Sequence, residues 1–253
     1  AERTLLLVAF CRSLIELSNA AFNHQSMSFK DACQLDMQID IDMAEVFAED
    51  VHFVLNGASE NPIGVGRVLF GDSRNPVGVV DGQFDLVITS PPYANRMSYI
   101  RELRPYMYWL GFLANGRDAG ELDWTAIGGT WGIETSSLMD WQRTTGHFNS
   151  DHLATVLDKI AHGDNKNGVI LANYVAKYFD DMWAHFSGLT PALAPGAEIH
   201  YIVGNSTFYG TLVSTEMLYA EMLRALGFTE INCRAIRKRN SKKELVEYDV
   251  VAR

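Results

Sequence analysis

The sequence predicts an α/β protein built on an open, mainly parallel sheet, and three observations carry that reading. The run Leu86-Val87-Ile88 is apolar at consecutive positions, as in a strand buried on both faces of a parallel sheet. Two further strand-like runs, Arg67 to Phe70 and Ala197 to Val203, flank it, the second beyond segments with helical spacing. The chain closes on runs 229–237 and 244–252 around Asn240-Ser241, which predicts an antiparallel hairpin at the end of the sheet.

At 253 residues, 47% hydrophobic and 11% aromatic, the chain is expected to form one large domain, 1–253, and not a disordered segment. Its net charge of −10 excludes a generally basic nucleic-acid binder, so any contact with a polyanion needs a local basic face. Cys11, Cys33 and Cys233 have no metal spacing and no even pairing, which points to a reducing cytoplasm. The apolar run Leu5 to Cys11 is too short to span a bilayer and lacks the flanks of a signal peptide.

In chain order, Leu6, Phe10, Leu14, Leu17 and Ala21 predict a helix over 1–22. The polar stretch 23–30, with His24 and Ser26, reads as a capped loop or as a phosphate-contacting segment. Met37, Ile41, Ala44 and Phe47 predict a helix over 36–55, whose carboxylates Asp36, Asp40, Asp42, Glu45, Glu49 and Asp50 form a solvated face and not a metal site. A short strand, Arg67 to Phe70, leads into Gly71-Asp72-Ser73-Arg74. After the central strand, residues 97–113 predict an aromatic-rich helix, kinked or restarted at Pro105, with Arg96, Arg101 and Arg104 on or beside it. Residues 114–150 read as a loop-rich insertion; GGTWG within it is no phosphate loop, because no Lys-Ser/Thr follows. Helices are expected at 151–162, 168–193 and 213–226, the last ending at Gly227.

The chemistry concentrates at Thr89-Ser90-Pro91-Pro92-Tyr93. Two prolines cannot continue a central strand, so the chain leaves the sheet at the strand's carboxyl end, where open α/β sheets bind ligands. Pro92 fixes its own φ and holds Pro91 extended, giving a stiff loop that aims the Ser90 hydroxyl and nearby carbonyls at one planar guest. Tyr93 supplies a face for a flipped base to stack on. An exocyclic amine suits such acceptors, since they hold its protons while its lone pair faces an electrophile.

TSPPY after an apolar strand resembles motif IV of the amino-methyltransferases of DNA, (S/D/N)PP(Y/F/W), and the serine form is more similar to the cytosine-N4 branch than to the adenine-N6 branch. The longer string SPPYANRMSYIRELRPYMYWLG resembles a bacterial site-specific DNA methylase subfamily. The resemblance implies a doubly wound, Rossmann-like class I methyltransferase sheet with an antiparallel C-terminal hairpin. It implies S-adenosyl-L-methionine as methyl donor, double-stranded DNA as substrate, a cognate restriction endonuclease as possible partner, and a bacterial or archaeal cytoplasmic, nucleoid-associated protein with no metal. Ser90, Pro91, Pro92 and Tyr93 would then be catalytic. Asp72, Ser73 and Ser90 would bind the cofactor, the GDSR segment being similar to the one whose carboxylate meets the adenosine. Arg96, Arg101, Arg104, His24, Ser26 and the hairpin residues Arg237, Lys238 and Arg239 would meet DNA. Leu193-Ala194-Pro195-Gly196 is similar to the approach to the fifth strand of that sheet, and 114–150 would be a candidate target-recognition segment.

One departure stands out. The family's methionine-binding turn is a G-x-G after a strand, whereas Gly64-Val65-Gly66 precedes one. The first strand and its glycine turn are therefore expected upstream or on another chain. The residues leave open an adenine-N6 enzyme, a methylase of RNA or protein glutamine, and a non-catalytic DNA-binding subunit.

Overall fold

The computed structural model describes residues 2–21, 28–29, 42–60, 63–95, 98–128, 135–143, 146–163, 166–239 and 244–253. Along the chain these form α1 (Glu2–Leu17), β1 (Ala20–Ala21), β2 (Ser28–Phe29), α2 (Met43–Ser59), β3 (Phe84–Thr89), α3 (Tyr99–Trp109), α4 (Gly116–Thr125) and α5 (Thr135–Asp140). There follow α6 (Asp151–Ala161), α7 (Gly168–Leu189), β4 (Leu193–Gly204), β5 (Ser206–Phe208), β6 (Thr211–Val213), α8 (Thr215–Ala225), β7 (Ile231–Lys238) and β8 (Val246–Ala252). Where length alone predicts one domain, the chain divides into two compact units: Ala1–Arg67 with Met97–Trp124, and Val68–Arg96 with Thr125–Arg253.

The first unit is helical. Asp42 caps α2, accepting from the Ala44 amide at 2.8 Å. Asp50, expected on a solvated acidic face, is instead buried and accepts from Arg12 Nε at 2.8 Å and Ser13 Oγ at 2.7 Å. The Arg12 guanidinium also lies 4.0 Å from the centroid of the Phe53 ring. The first helix stops at Leu17 rather than 22, because Ala20–Ala21 leaves it to pair antiparallel with Ser28–Phe29. Ser98 caps α3 through the Arg101 amide and also donates to Asp123.

The second unit holds the sheet, in the order β3-β4-β8-β7. β3 and β4 are parallel, with Val87 beside Ile199 and Thr89 beside Tyr201, so both end on one edge. β8 is antiparallel to β4 on one side and to β7 on the other. One face carries Ile199, Tyr201, Val203, Val250 and Ala252, all sealed from solvent. It packs on Phe186 of α7 and Tyr219 of α8, with ring centroids 4.9 Å between Phe186 and Tyr201 and 5.1 Å between Phe186 and Tyr219.

Three expectations are corrected here. β3 is not buried on both faces: Phe84, Leu86 at 49% and Ile88 at 68% are exposed, so the face that these alternate residues share is left uncovered among the described residues. Consecutive apolar residues report what a strand is able to bury, not what covers it. Arg67 to Phe70 forms no strand, and Val68 and Phe70 are open to solvent, since no neighbouring described strand offers it a ladder. The stretch 114–150 contains two helices; the first is fastened by Asp118, which accepts from the Ala114 amide at 2.9 Å, while Leu138 of the second is fully buried. No described helix is long and apolar enough to cross a membrane.

On the other sheet face His200 lies between two carboxylates, Nε2 at 2.9 Å from Glu198 and Nδ1 at 3.1 Å from Asp249. Arg253 and Arg234 close the row against Glu198 and Asp249. The hydrogen bond to Glu198, and then that to Asp249, raise the His200 pKa above its ordinary value, because both ring nitrogens face acceptors. The stabilisation is therefore fully present below the ordinary histidine value and lost as pH rises through the raised one. His200→Ala is expected to destabilise the fold by on the order of 1 kcal/mol in mildly acidic solution and by less in alkaline solution. Urea denaturation of both proteins across that range checks the sign.

Candidate active site

Ser90 leaves the carboxyl end of β3 exposed, and Pro91, Pro92 and Tyr93 follow half-buried. The loop is pinned from beneath. The Tyr178 hydroxyl donates to the Pro92 carbonyl at 2.8 Å and stands 2.6 Å from the Tyr219 hydroxyl. A phenol has one proton, so Tyr178 gives its own to the carbonyl and accepts from Tyr219. Burial raises the Tyr219 pKa, which keeps this relay neutral. Gly128, at φ +67°, approaches the same place: a Cβ there would stand 3.4 Å from the Pro92 ring, and its carbonyl accepts from Tyr174 at 3.1 Å.

Tyr93 is held at its other end. Its hydroxyl donates to Glu247 Oε1, while Glu247 Oε2 accepts from Arg237 Nε at 2.5 Å. The Arg239 guanidinium sits over the Tyr93 ring at 4.5 Å and donates to the Asn205 carbonyl at 2.9 Å. Arg237, and then Tyr93, hold the Glu247 carboxyl below its usual range. Burial, and then Glu247, raise the Tyr93 phenol, and the Ser90 hydroxyl beside it pulls the other way. Two of the three hairpin residues expected on a phosphate backbone thus touch the SPPY loop or its partner, Arg237 while still exposed; Lys238 is exposed as well.

The GDSR segment is fastened to the same helix, α7. Asp72 engages Arg74 through Nε at 3.0 Å and NH2 at 2.8 Å, and Arg74 NH1 reaches Asp181 at 2.9 Å. Lys177 Nζ takes the second Asp181 oxygen at 2.7 Å. His185 Nδ1 meets the Ser73 carbonyl at 2.6 Å, so that nitrogen carries the proton, and Nε2 accepts from the Tyr201 hydroxyl at 2.6 Å. Burial lowers the His185 pKa and favours this neutral tautomer. A Cβ on Gly188 would stand 2.3 Å from the Arg74 carbonyl, so the segment lies directly on the helix backbone. Tyr178 and His185 are seven residues apart, about 10 Å along the axis, which sets how far apart the two loops are anchored.

Asp72 keeps a half-exposed carboxylate, and Ser73 is exposed. Arg101 and Arg104 lie on α3 in the first unit, where Arg104 Nε is enclosed without a hydrogen-bond partner among the described residues. His24, Ser26 and Arg96 lie outside the described residues. Residues not anticipated from sequence are Glu247, Tyr178, Tyr219, Asp181 and His185. The α7 members had a legible signal: Tyr174, Tyr178, Asp181, His185 and Gly188 recur at steps of four, three, four and three, one stripe of a helix otherwise rich in apolar residues.

Asp181 is the shared acceptor for two cations that are themselves largely enclosed. Asp181→Ala leaves both without it and is expected to lower stability by about 3 kcal/mol. Glu121→Ala, which breaks the exposed Arg117–Glu121 pair, is expected to change it by less than about 0.5 kcal/mol. Thermal unfolding of the two variants measures the contrast.

No family model and no solved structure matches the chain. Among curated proteins it is similar to the Type II methyltransferase M.BsoBI of Geobacillus stearothermophilus, 27% identical over 192 residues that cover 68% of this chain and 37% of that protein. The chain thus corresponds to little more than a third of the length of the relative it matches, whose printed name agrees with the chemistry that the SPPY loop resembles.

Proposed function

We propose that this chain forms the base-binding part of a site-specific DNA methyltransferase that places a methyl group on the exocyclic N4 amine of a cytosine turned out of the duplex. The observation that carries this reading is the SPPY loop: it ends a parallel strand at the sheet's ligand-binding edge, with the Pro92 carbonyl and Tyr93 both anchored by other elements. The similarity to a Type II methyltransferase supports it independently. The sheet order, with the last strand inserted antiparallel between β4 and β7, is compatible with the class I arrangement.

In this mechanism the Ser90 hydroxyl and the Pro91 carbonyl accept hydrogen bonds from the two amine N–H groups, one of whose protons is released to solvent once the methyl group is in place. Tyr178 occupies the Pro92 carbonyl, so the loop's preceding carbonyl is the one offered to substrate. Tyr93 stacks on the base. The amine lone pair is turned toward the donor, and alignment supplies most of the rate. S-adenosyl-L-methionine would supply the electrophilic methyl group. Asp72 and Ser73 suit its adenosine end, the Asp72 carboxylate being half exposed despite Arg74. Its methionine end does not fit Gly64-Val65-Gly66, because a Cβ on either glycine would meet nothing within 4 Å and the turn cradles nothing. We assign no residue of this chain to that end.

Ser90→Ala and Tyr93→Ala are each expected to lower methyl transfer about 10²-fold or more while leaving the fold intact, since both side chains lie on the loop beyond the sheet. Mass spectrometry of nucleosides from methylated DNA is expected to show N4-methylcytosine; N6-methyladenine would move the assignment to the adenine branch, and no methylated base to a DNA-binding subunit. For DNA affinity, Lys238→Gln is expected to flatten the salt dependence by about one counterion without changing site preference. Replacing Arg237 and Arg239 as well is expected to remove at most about one more counterion, since Glu247 offsets one of the two charges, and to loosen Tyr93. Binding titrations across salt concentration separate the two effects.

A further inference from the structure

Glu247 is 8% exposed on β8, and its two oxygens are divided between Tyr93 and Arg237. Arg239 lies over the Tyr93 ring in a space kept by Gly204, where a Cβ would stand 2.3 Å from the Arg239 NH1. The phenol is therefore fixed both at its tip and on one face. Packing alone does not call for this. A phenylalanine at position 93 would fill the same volume without taking a carboxylate out of water. The cost is offset by Arg237, whose own side chain remains 72% exposed, so the arrangement buries one charge and keeps its partner in water. Glu247, Arg237 and Arg239 together leave one positive charge in excess beside the loop.

We propose that Glu247 is the positioning residue of the SPPY loop: it holds the Tyr93 hydroxyl so that Arg239 covers one ring face and the opposite face is presented to a planar nucleobase. The assignment rests on the reading of SPPY as a base-binding loop. It extends that reading to a residue 154 positions away in sequence and to the hairpin arginines. The arginines act here through Glu247 and the Tyr93 ring rather than on a phosphate.

The test combines a spectroscopic arm with a kinetic one. Full-length protein carrying ¹³Cζ-labelled tyrosine is titrated by NMR, the Tyr93 signal being assigned by its loss in Tyr93→Phe. Glu247→Gln keeps an acceptor and removes the charge; Glu247→Ala removes both. In each variant the Tyr93 phenol is expected to ionise at lower pH than in wild type, the part of its shift due to burial remaining. Circular dichroism is expected to show an intact fold, because the Arg237 left behind is already exposed.

In methyl transfer to DNA, Glu247→Ala is expected to lower kcat about 10²-fold with KM for DNA changed less than about threefold, and Glu247→Gln to recover part of the loss. Adding Tyr93→Phe to Glu247→Ala is expected to cost no more than the worse single change. An unmoved Tyr93 titration in Glu247→Ala, or fully additive kinetic losses, overturns the proposal. If wild-type protein transfers no methyl group, the methyltransferase reading fails, and the NMR arm alone decides whether Glu247 positions Tyr93.

Discussion

One helix, α7, is the constraint on which the rest of the second unit depends. Along its 22 residues, two stripes of side chains do different work. Leu171, Val175, Phe179, Met182 and Phe186 are buried, and Phe186 meets the sheet at Tyr201. Tyr174, Tyr178, Asp181, His185 and Gly188 hold Gly128, Pro92, Arg74 and Ser73. An α-helix places residues three and four apart on one line, so a single rigid rod fixes the spacing of both loops. A shift of the rod moves both loops together and leaves their separation unchanged.

The two kinds of anchor differ in what they depend on. Tyr178, Tyr219 and His185 act through hydrogen bonds, each worth about 1 kcal/mol net, and burial keeps Tyr219 and His185 neutral. Arg74, Asp181 and Lys177 act through charge in a partly enclosed place, where loss of one member is costlier than the pair is worth. The floor of the SPPY loop therefore belongs to the neutral class and the grip on Tyr93 to the charged one, while GDSR is attached by both, through His185 and through the Arg74–Asp181 pair. Salt and acid act on the second class first, loosening the Tyr93 tip before the Pro92 carbonyl.

Much of this was legible in the sequence, and the reasons for the rest are physical. A Pro-Pro pair after an apolar run announces a strand end in any context, so β3 and its loop were readable from a few adjacent residues. Glu247 was not, because a single carboxylate on an alternating strand looks like any solvent-facing residue; only the fold brings it to Tyr93. Asp50 misled for the same reason, reading as one more acid on an acidic helix until Arg12 and Ser13 closed on it. Arg67 to Phe70 has strand composition but no ladder, since β propensity is a property of fit to neighbours as much as of the residues themselves. The polar stripe of α7 is visible as a period, but the apolar residues that dominate the helix give the stronger signal of a buried rod.

The basic hairpin shows most clearly how far charge counted along a sequence departs from charge presented in space. Read linearly, the chain's end gathers cations on a protein of net charge −10. In the fold, Arg234 faces Asp249, Arg237 faces Glu247, and Arg253 faces Glu198, each an acid on the adjoining strand. Arg239 is turned onto Tyr93 and the Asn205 carbonyl. Counterion release from DNA follows the cations that remain in excess of their protein partners, not the number of basic residues. One of these pairs, Arg237–Glu247, instead contributes direction, since Glu247 also accepts from the Tyr93 hydroxyl.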